Sequence, residues 1–109
     1  MDVVARRFDV FLVCLDPTMG SEIRKTRPCV VVSPDEMNER FATIIVAPMT
    51  TQSRGYPWRI RCRFQEKEGR IILDQIRTVD KLRLLRLLGR LEPANQQDVL
   101  LALQKMFSP

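Results

Sequence analysis

Apolar positions fall in short runs broken by proline, glycine and charged stretches. Residues 8–15, FDVFLVCL, form a β-prone run that stops at Asp16-Pro17, a turn signal. The segment 18–27 is polar and charged and holds a glycine, so it reads as a long exposed loop. Residues 29–33, CVVVS, read as a buried strand closed by Pro34, followed by a helical turn over 35–40. Residues 43–47, TIIVA, predict a second buried strand stopped by Pro48, and 50–57 a second loop. From 58 to 64 the pattern alternates without a slip. Trp58, Ile60, Cys62 and Phe64 share one face, and Arg59, Arg61 and Arg63 the other. Residues 69–75, GRIILDQ, read as a further strand, Asp80 as the cap of a short helix over 81–84, and 86–91 as a return to strand. Pro93 suits a first helical turn, and Val99, Leu100, Leu103, Met106 and Phe107 then fall on one stripe. Short strands without βαβ alternation predict a mainly β fold with short helices: a small antiparallel barrel or strongly curved sheet plus a C-terminal helix.

At 109 residues the chain is expected to form one domain, 1–109. Hydrophobic residues at 45% and charged residues at 28% exclude a disordered chain. The net charge of +5 is carried mostly by arginine, 14 against 4 lysines. Arginine's planar fork matches phosphate oxygens two at a time, so nucleic acid or an acidic partner is indicated. Cys14, Cys29 and Cys62 are odd in number, widely spaced and set among apolar neighbours, which suggests free thiols rather than disulfides or a zinc site. Residues 1–7 lack an apolar signal core and no run approaches membrane-spanning length, so a cytoplasmic protein with no membrane partner is expected.

The chain has no histidine. That removes the commonest general acid/base and excludes Ser-His and Cys-His nucleophile pairs. There is no Walker loop and no dinucleotide fingerprint. One reaction suits such a kit. RNA carries its own nucleophile, the 2′-OH, beside the scissile phosphate. Cleavage then needs a proton acceptor, a proton donor and cationic groups on the phosphorane-like transition state. An arginine fork supplies the last of these, and neither metal nor cofactor is required.

Here a family resemblance enters. Gly20-Ser21-Glu22 followed by Lys25-Thr26-Arg27-Pro28 resembles the loop of the MazF/PemK/Kid toxins. Leu15-Asp16-Pro17, Val46-Ala47-Pro48-Met49-Thr50-Thr51, Gly55-Tyr56-Pro57-Trp58, Asp74-Gln75-Ile76-Arg77-Thr78-Val79-Asp80 and Gly89-Arg90-Leu91 are similar to further family segments, in order, over roughly residues 7–107. The resemblance implies an SH3-like antiparallel barrel with a C-terminal helix, the fold shared by CcdB and PemK, and a homodimer. It implies ribosome-independent, sequence-specific cutting of single-stranded mRNA to a 2′,3′-cyclic phosphate and a 5′-hydroxyl. It also implies a cognate antitoxin with an acidic flexible tail, and a toxin–antitoxin complex that binds operator DNA.

Carried over residue by residue, the resemblance makes Arg27, Thr50 and Glu22 the catalytic candidates. Arg27 would hold the phosphate and share in proton transfer, Thr50 would bond a phosphate oxygen, and Glu22 would take the 2′-OH proton or orient Arg27. Ser21, Lys25, Thr51, Asp74, Gln75 and Arg77 are the substrate-binding candidates. The chain departs from some relatives, which place an acid-donating arginine two positions before the site's acidic residue. Here Ile72 stands there, with Arg70 two earlier on the same face.

Structural readings stand beside these. Thr50 can satisfy a turn through its hydroxyl. Asp74 can brace Arg77. The Arg59/Arg61/Arg63 face can simply be solvated, and Trp58 and Phe64 are expected in the core. Rival functions are a gyrase poison of the CcdB kind and a non-catalytic RNA- or DNA-binding module. The first acts through a C-terminal tryptophan-containing tail, whereas this chain ends Met106-Phe107-Ser108-Pro109.

Overall fold

The computed structural model describes residues 3–109. Seven strands form one curled antiparallel sheet: β1 (Asp9–Cys14), β2 (Thr26–Val31), β3 (Thr43–Thr50), β4 (Arg59–Phe64), β5 (Lys67–Ile72), β6 (Arg77–Asp80) and β7 (Leu84–Arg90). A short helix α1 (Asp35–Arg40) links β2 to β3, and α2 (Pro93–Met106) closes the chain with Pro93 in its first turn. The strand order is β4-β5-β3-β2-β1-β7, with β6 on β3. Strand β3 is the hub. Its residues 43–46 pair with β6 and its residues 49–50 with β5, while its other side holds β2. None of the helices among the described residues is long and apolar enough to cross a membrane.

The apolar runs of β1, β2 and β3 follow from burial on both faces. Val10, Val30, Ala47, Met49, Ile71, Leu73 and Val99 pack in one core, beneath α2. Phe11, Val13, Cys29, Val31, Ile44, Val46 and Val79 pack in a second core on the opposite face. The two sheet edges approach each other through side chains. The Phe64 ring of β4 lies so near Gly89 of β7 that a Cβ there would stand 3.2 Å from it. Gln65 Nε2 donates to Leu88 O at 3.3 Å. The result is a half-barrel drawn together by Phe64 and Gln65.

Several expectations are corrected. Pro48 does not stop its strand: it pairs with Cys29 inside β3, at the gap between the β6 and β5 partners, where one side of the strand has no ladder to serve. Strand β2 begins at Thr26, so Arg27 and Pro28 lie in the strand and not before it. Residues 73–75 turn as a 3-10 helix instead of extending the strand. Strand β6 was not anticipated. Asp80 does cap the next turn, accepting from Leu82 N at 2.8 Å. Trp58 is not core but 39% exposed, and Phe107 falls off the buried stripe at 72% exposed.

Candidate functional site

The β2–β3 register sets Cys29 against Pro48, so two residues further along Arg27 and Thr50 come opposite one another. Thr50 pairs with Arg70, and Arg70 with Arg61. Directly opposed residues share a face. Four neighbouring strands thus carry Arg27, Thr50, Arg70 and Arg61 in one row. The first three, with Thr51, line a groove of about 220 Å³.

The three groove residues are each tethered by one bond and keep free donors, while Arg61 NH2 pairs with Glu68 at 3.5 Å. Arg27 Nε donates to Arg24 O at 3.0 Å, and its two terminal nitrogens have no hydrogen-bond partner among the described residues. The loop turns just before it: Lys25 takes a left-handed φ of 70°, its N–H donates to Asp16 Oδ1 at 3.0 Å, and its carbonyl accepts from Leu15 N at 2.9 Å. The Thr50 hydroxyl oxygen accepts from Gln52 N at 3.1 Å, as the turn reading expects. That bond uses a lone pair and leaves the hydroxyl proton to donate. Arg70 NH1 donates to Arg59 O at 3.2 Å, and its NH2 lies where a Cβ on residue 55 would intrude at 3.1 Å. Gly55 is therefore what makes room for that guanidinium. Gly69 serves similarly: a Cβ there would meet Thr50 O at 2.7 Å.

The remaining candidates gather elsewhere. Ser21, Glu22, Asp74, Gln75 and Arg77 line a second hollow of about 390 Å³. Gln75 straps the loop, accepting from Ile23 N at 2.7 Å and donating to Ser21 O at 3.4 Å. Arg77 donates to Leu15 O at 3.1 Å. Glu22 folds back on its own loop, accepting from Met19 N at 2.6 Å. The structure therefore unites Arg27 with Thr50 and Thr51, but sets Glu22 in the neighbouring hollow. Lys25 lines neither.

Asp74 does not brace Arg77. It takes a two-pronged bond from Arg59, with Nε at 3.0 Å and NH2 at 2.9 Å. Those bonds hold the Asp74 carboxyl below the usual carboxylate range against a smaller opposing effect of burial, and raise Arg59 in turn. Arg59 is the cross-strand partner of Ile72. The guanidinium beside Asp74 thus comes from β4, across the ladder from Ile72. Arg70, given no role from sequence, belongs to the row. Its signal in the sequence was period two back from Ile72, which sets Arg70 on the same face. Beneath the row, burial pushes the Cys29 thiol up to about 12 despite Arg77 and Arg27 nearby, and Cys62 up to about 11.

Residues 6–107 match the family of PemK-like, MazF-like toxins of type II toxin–antitoxin systems. The chain belongs to this family. Among curated relatives, the endoribonuclease toxin MazF of Escherichia coli K12 is 39% identical over 71 residues, 65% of this chain and 64% of that protein. The chain thus spans just under two thirds of that relative's length. Among solved structures, MazF from Deinococcus radiodurans superposes with a TM-score of 0.84 at 22% identity, covering 96% of this chain and 97% of that one. A mycobacterial endoribonuclease in complex with its cognate antitoxin gives 0.78 at 24% identity, over 92% and 91%. These structures share the PemK/MazF-like fold: a curled antiparallel sheet with a C-terminal helix.

Proposed function

We propose that this PemK/MazF-like protein is an endoribonuclease toxin that cuts single-stranded mRNA without a metal ion, in the groove of Arg27, Thr50 and Arg70. The carrying observation is the row itself: two guanidinium groups with free donors flank a hydroxyl whose proton is available. In the reaction the substrate's 2′-oxygen attacks phosphorus, the P–O5′ bond breaks, and a 2′,3′-cyclic phosphate and a 5′-hydroxyl remain. One arm of the Arg27 fork takes a non-bridging phosphate oxygen, while the other gives a proton to the leaving O5′ and recovers one from water. Thr50 donates to the second non-bridging oxygen, and Arg70 adds positive charge as the phosphorane forms. Glu22 accepts the 2′-OH proton once its loop, carried on the same chain segment as Arg27, moves toward the groove. Ser21, Lys25, Thr51, Gln75 and Arg77 guide the strand past the two hollows.

The protein acts in this reading as a cytoplasmic homodimer restrained by an antitoxin whose acidic tail competes with RNA for the arginines. The family match and the E. coli relative support it. The test is incubation of the purified protein with mixed-sequence RNA in EDTA, with the fragment ends mapped. Cyclic phosphate and 5′-hydroxyl ends are expected. Arg27→Ala should slow cleavage by roughly 10²–10³-fold, the usual loss for one transition-state donor. RNA left intact by the wild-type protein sinks the function, while a normally active Arg27→Ala sinks only the site.

A further inference from the structure

Tyr56 and Trp58 lie outside the row and are used by nothing above. Both are exposed, at 43% and 39%, and their rings stack in parallel, 7° apart with centroids at 5.5 Å. The Arg59 guanidinium sits over the Tyr56 ring at 5.1 Å from its centroid, and Arg59 NH1 donates to Ser53 Oγ at 3.2 Å, so the loop that presents the rings is clamped. Trp58 is fixed through its backbone as well, its carbonyl accepting from Leu73 N at 3.1 Å. The indole borders a cleft of about 490 Å³ whose other walls are Pro57, Ala102 and Met106, with Asp74 and Lys105 as its charged groups.

This slot is lined mainly by apolar side chains, one of them a planar indole, with one carboxylate and one ammonium. Each Asp74 oxygen accepts one bond from Arg59 and keeps capacity for another. The matching ligand is planar, aromatic and carries an amine. The slot is tied to the row through one loop, because Arg70 bonds the Arg59 carbonyl and packs against Gly55. A nucleotide strand supplies both a planar ring for the indole and an exocyclic amine for Asp74, and its phosphates suit the neighbouring arginines. The carboxylates of an acidic peptide bring no donor for Asp74. We propose that the slot between Trp58 and α2 holds one base of the RNA, stacked on Trp58 with its exocyclic amine on Asp74. Resting on the RNA reading above, this makes Trp58 and Asp74 specificity-determining residues that favour cytosine, adenine or guanine over uracil at one position beside the cut.

Trp58 is the chain's one tryptophan, so its fluorescence reports the slot directly. The full-length protein is titrated with labelled, non-cleavable 2′-O-methyl hexamers of cytosine or uracil, following label anisotropy and tryptophan emission together. Both should bind, cytosine should quench more strongly, and Trp58→Ala should weaken cytosine binding about tenfold and abolish its advantage, with Trp58→Phe retaining most of it. Rising anisotropy with unchanged emission overturns the slot, and equal quenching and affinity for the two hexamers overturns the amine preference. No anisotropy change with either hexamer overturns the RNA reading itself, and the slot with it. Loss of affinity for an antitoxin tail peptide in Trp58→Ala, with RNA binding intact, overturns the proposal and gives the slot to protein. Circular dichroism of each variant confirms the fold.

Discussion

At the scale of single residues the site works by tethering each groove arginine through one nitrogen and leaving another free. Arg70 illustrates this, since NH1 is spent on the Arg59 carbonyl and NH2 has no hydrogen-bond partner among the described residues. Removing a charge-assisted donor costs roughly 1.5–3 kcal/mol. Arg70→Ala should therefore slow single-turnover cleavage on the order of 10–100-fold. Arg70→Lys should recover little, because one ammonium cannot occupy both places. Full activity in both variants would remove Arg70 from the row's chemistry. Asp74 gives a pH prediction. Its folded-state pKa is depressed, chiefly by the Arg59 hydrogen bonds. Its contribution to stability is then complete above the ordinary carboxylate value near ~3.9 and is lost as pH falls through the lower folded value. Thermal melts should show Asp74→Asn less stable than wild type at about pH 5 and equal to it once pH drops below the folded pKa. A gap between the two that persists undiminished at the acid end would mean the pair is not what links Asp74 to stability.

At the scale of elements, turns and straps decide what the strands present. The β4–β5 hairpin turns through Gln65 and Glu66, both at positive φ, 51° and 65°. That geometry suits Asn-Gly, and an L side chain in the left-handed region costs on the order of 1 kcal/mol. Glu66→Gly should raise stability by about that amount in urea melts, and a fall would mean the side chain is contributing more than its strain costs. The Gln75 strap makes the opposite case: Gln75→Ala should leave the melt nearly unchanged while speeding amide exchange at Ile23, whose N–H it binds. The sequence was legible where period or punctuation was strong. Alternation over Ile60–Phe64 survives in burial, with Cys62 buried between exposed Arg61 and Arg63. Strand β6 was not legible because Val79 is its one buried residue. Trp58 was misplaced because alternation was extended across the strand's start, where the backbone already turns toward Tyr56. Arg27 and Thr50 were named from motifs, but their alignment with Arg70 depends on the registers of two strand pairs. Long-range register leaves no mark in local pattern.

At the scale of the whole molecule, the arginine row and the Trp58 slot account for one side, and a different surface remains bare. Val4, Phe41 and Leu82 are 79%, 54% and 88% exposed and share the rim of one broad hollow between the N-terminal segment, the end of α1 and the turn before β7. Single exposed apolar residues are ordinary, but a cluster around a concavity is how a soluble protein marks a covered face. A domain of this size also gains much from burying such a face against a partner. A second copy of the chain is the occupant the homodimer reading supplies. Because Phe41 and Leu82 project from the monomer, replacing them should not open either core. Phe41→Ser with Leu82→Glu should therefore convert a dimer to a monomer in sedimentation at micromolar concentration. Far-UV circular dichroism should stay unchanged, and the wild-type melting temperature should depend on concentration where the variant's does not. A variant that still sediments as a dimer would move the interface to the exposed Leu85 and Leu87 of edge strand β7. If the variant is monomeric and still cuts RNA at the wild-type rate, each copy's Arg27–Thr50–Arg70 row is a complete site. A monomer that binds RNA but no longer cuts would show that the groove is finished only when two copies meet.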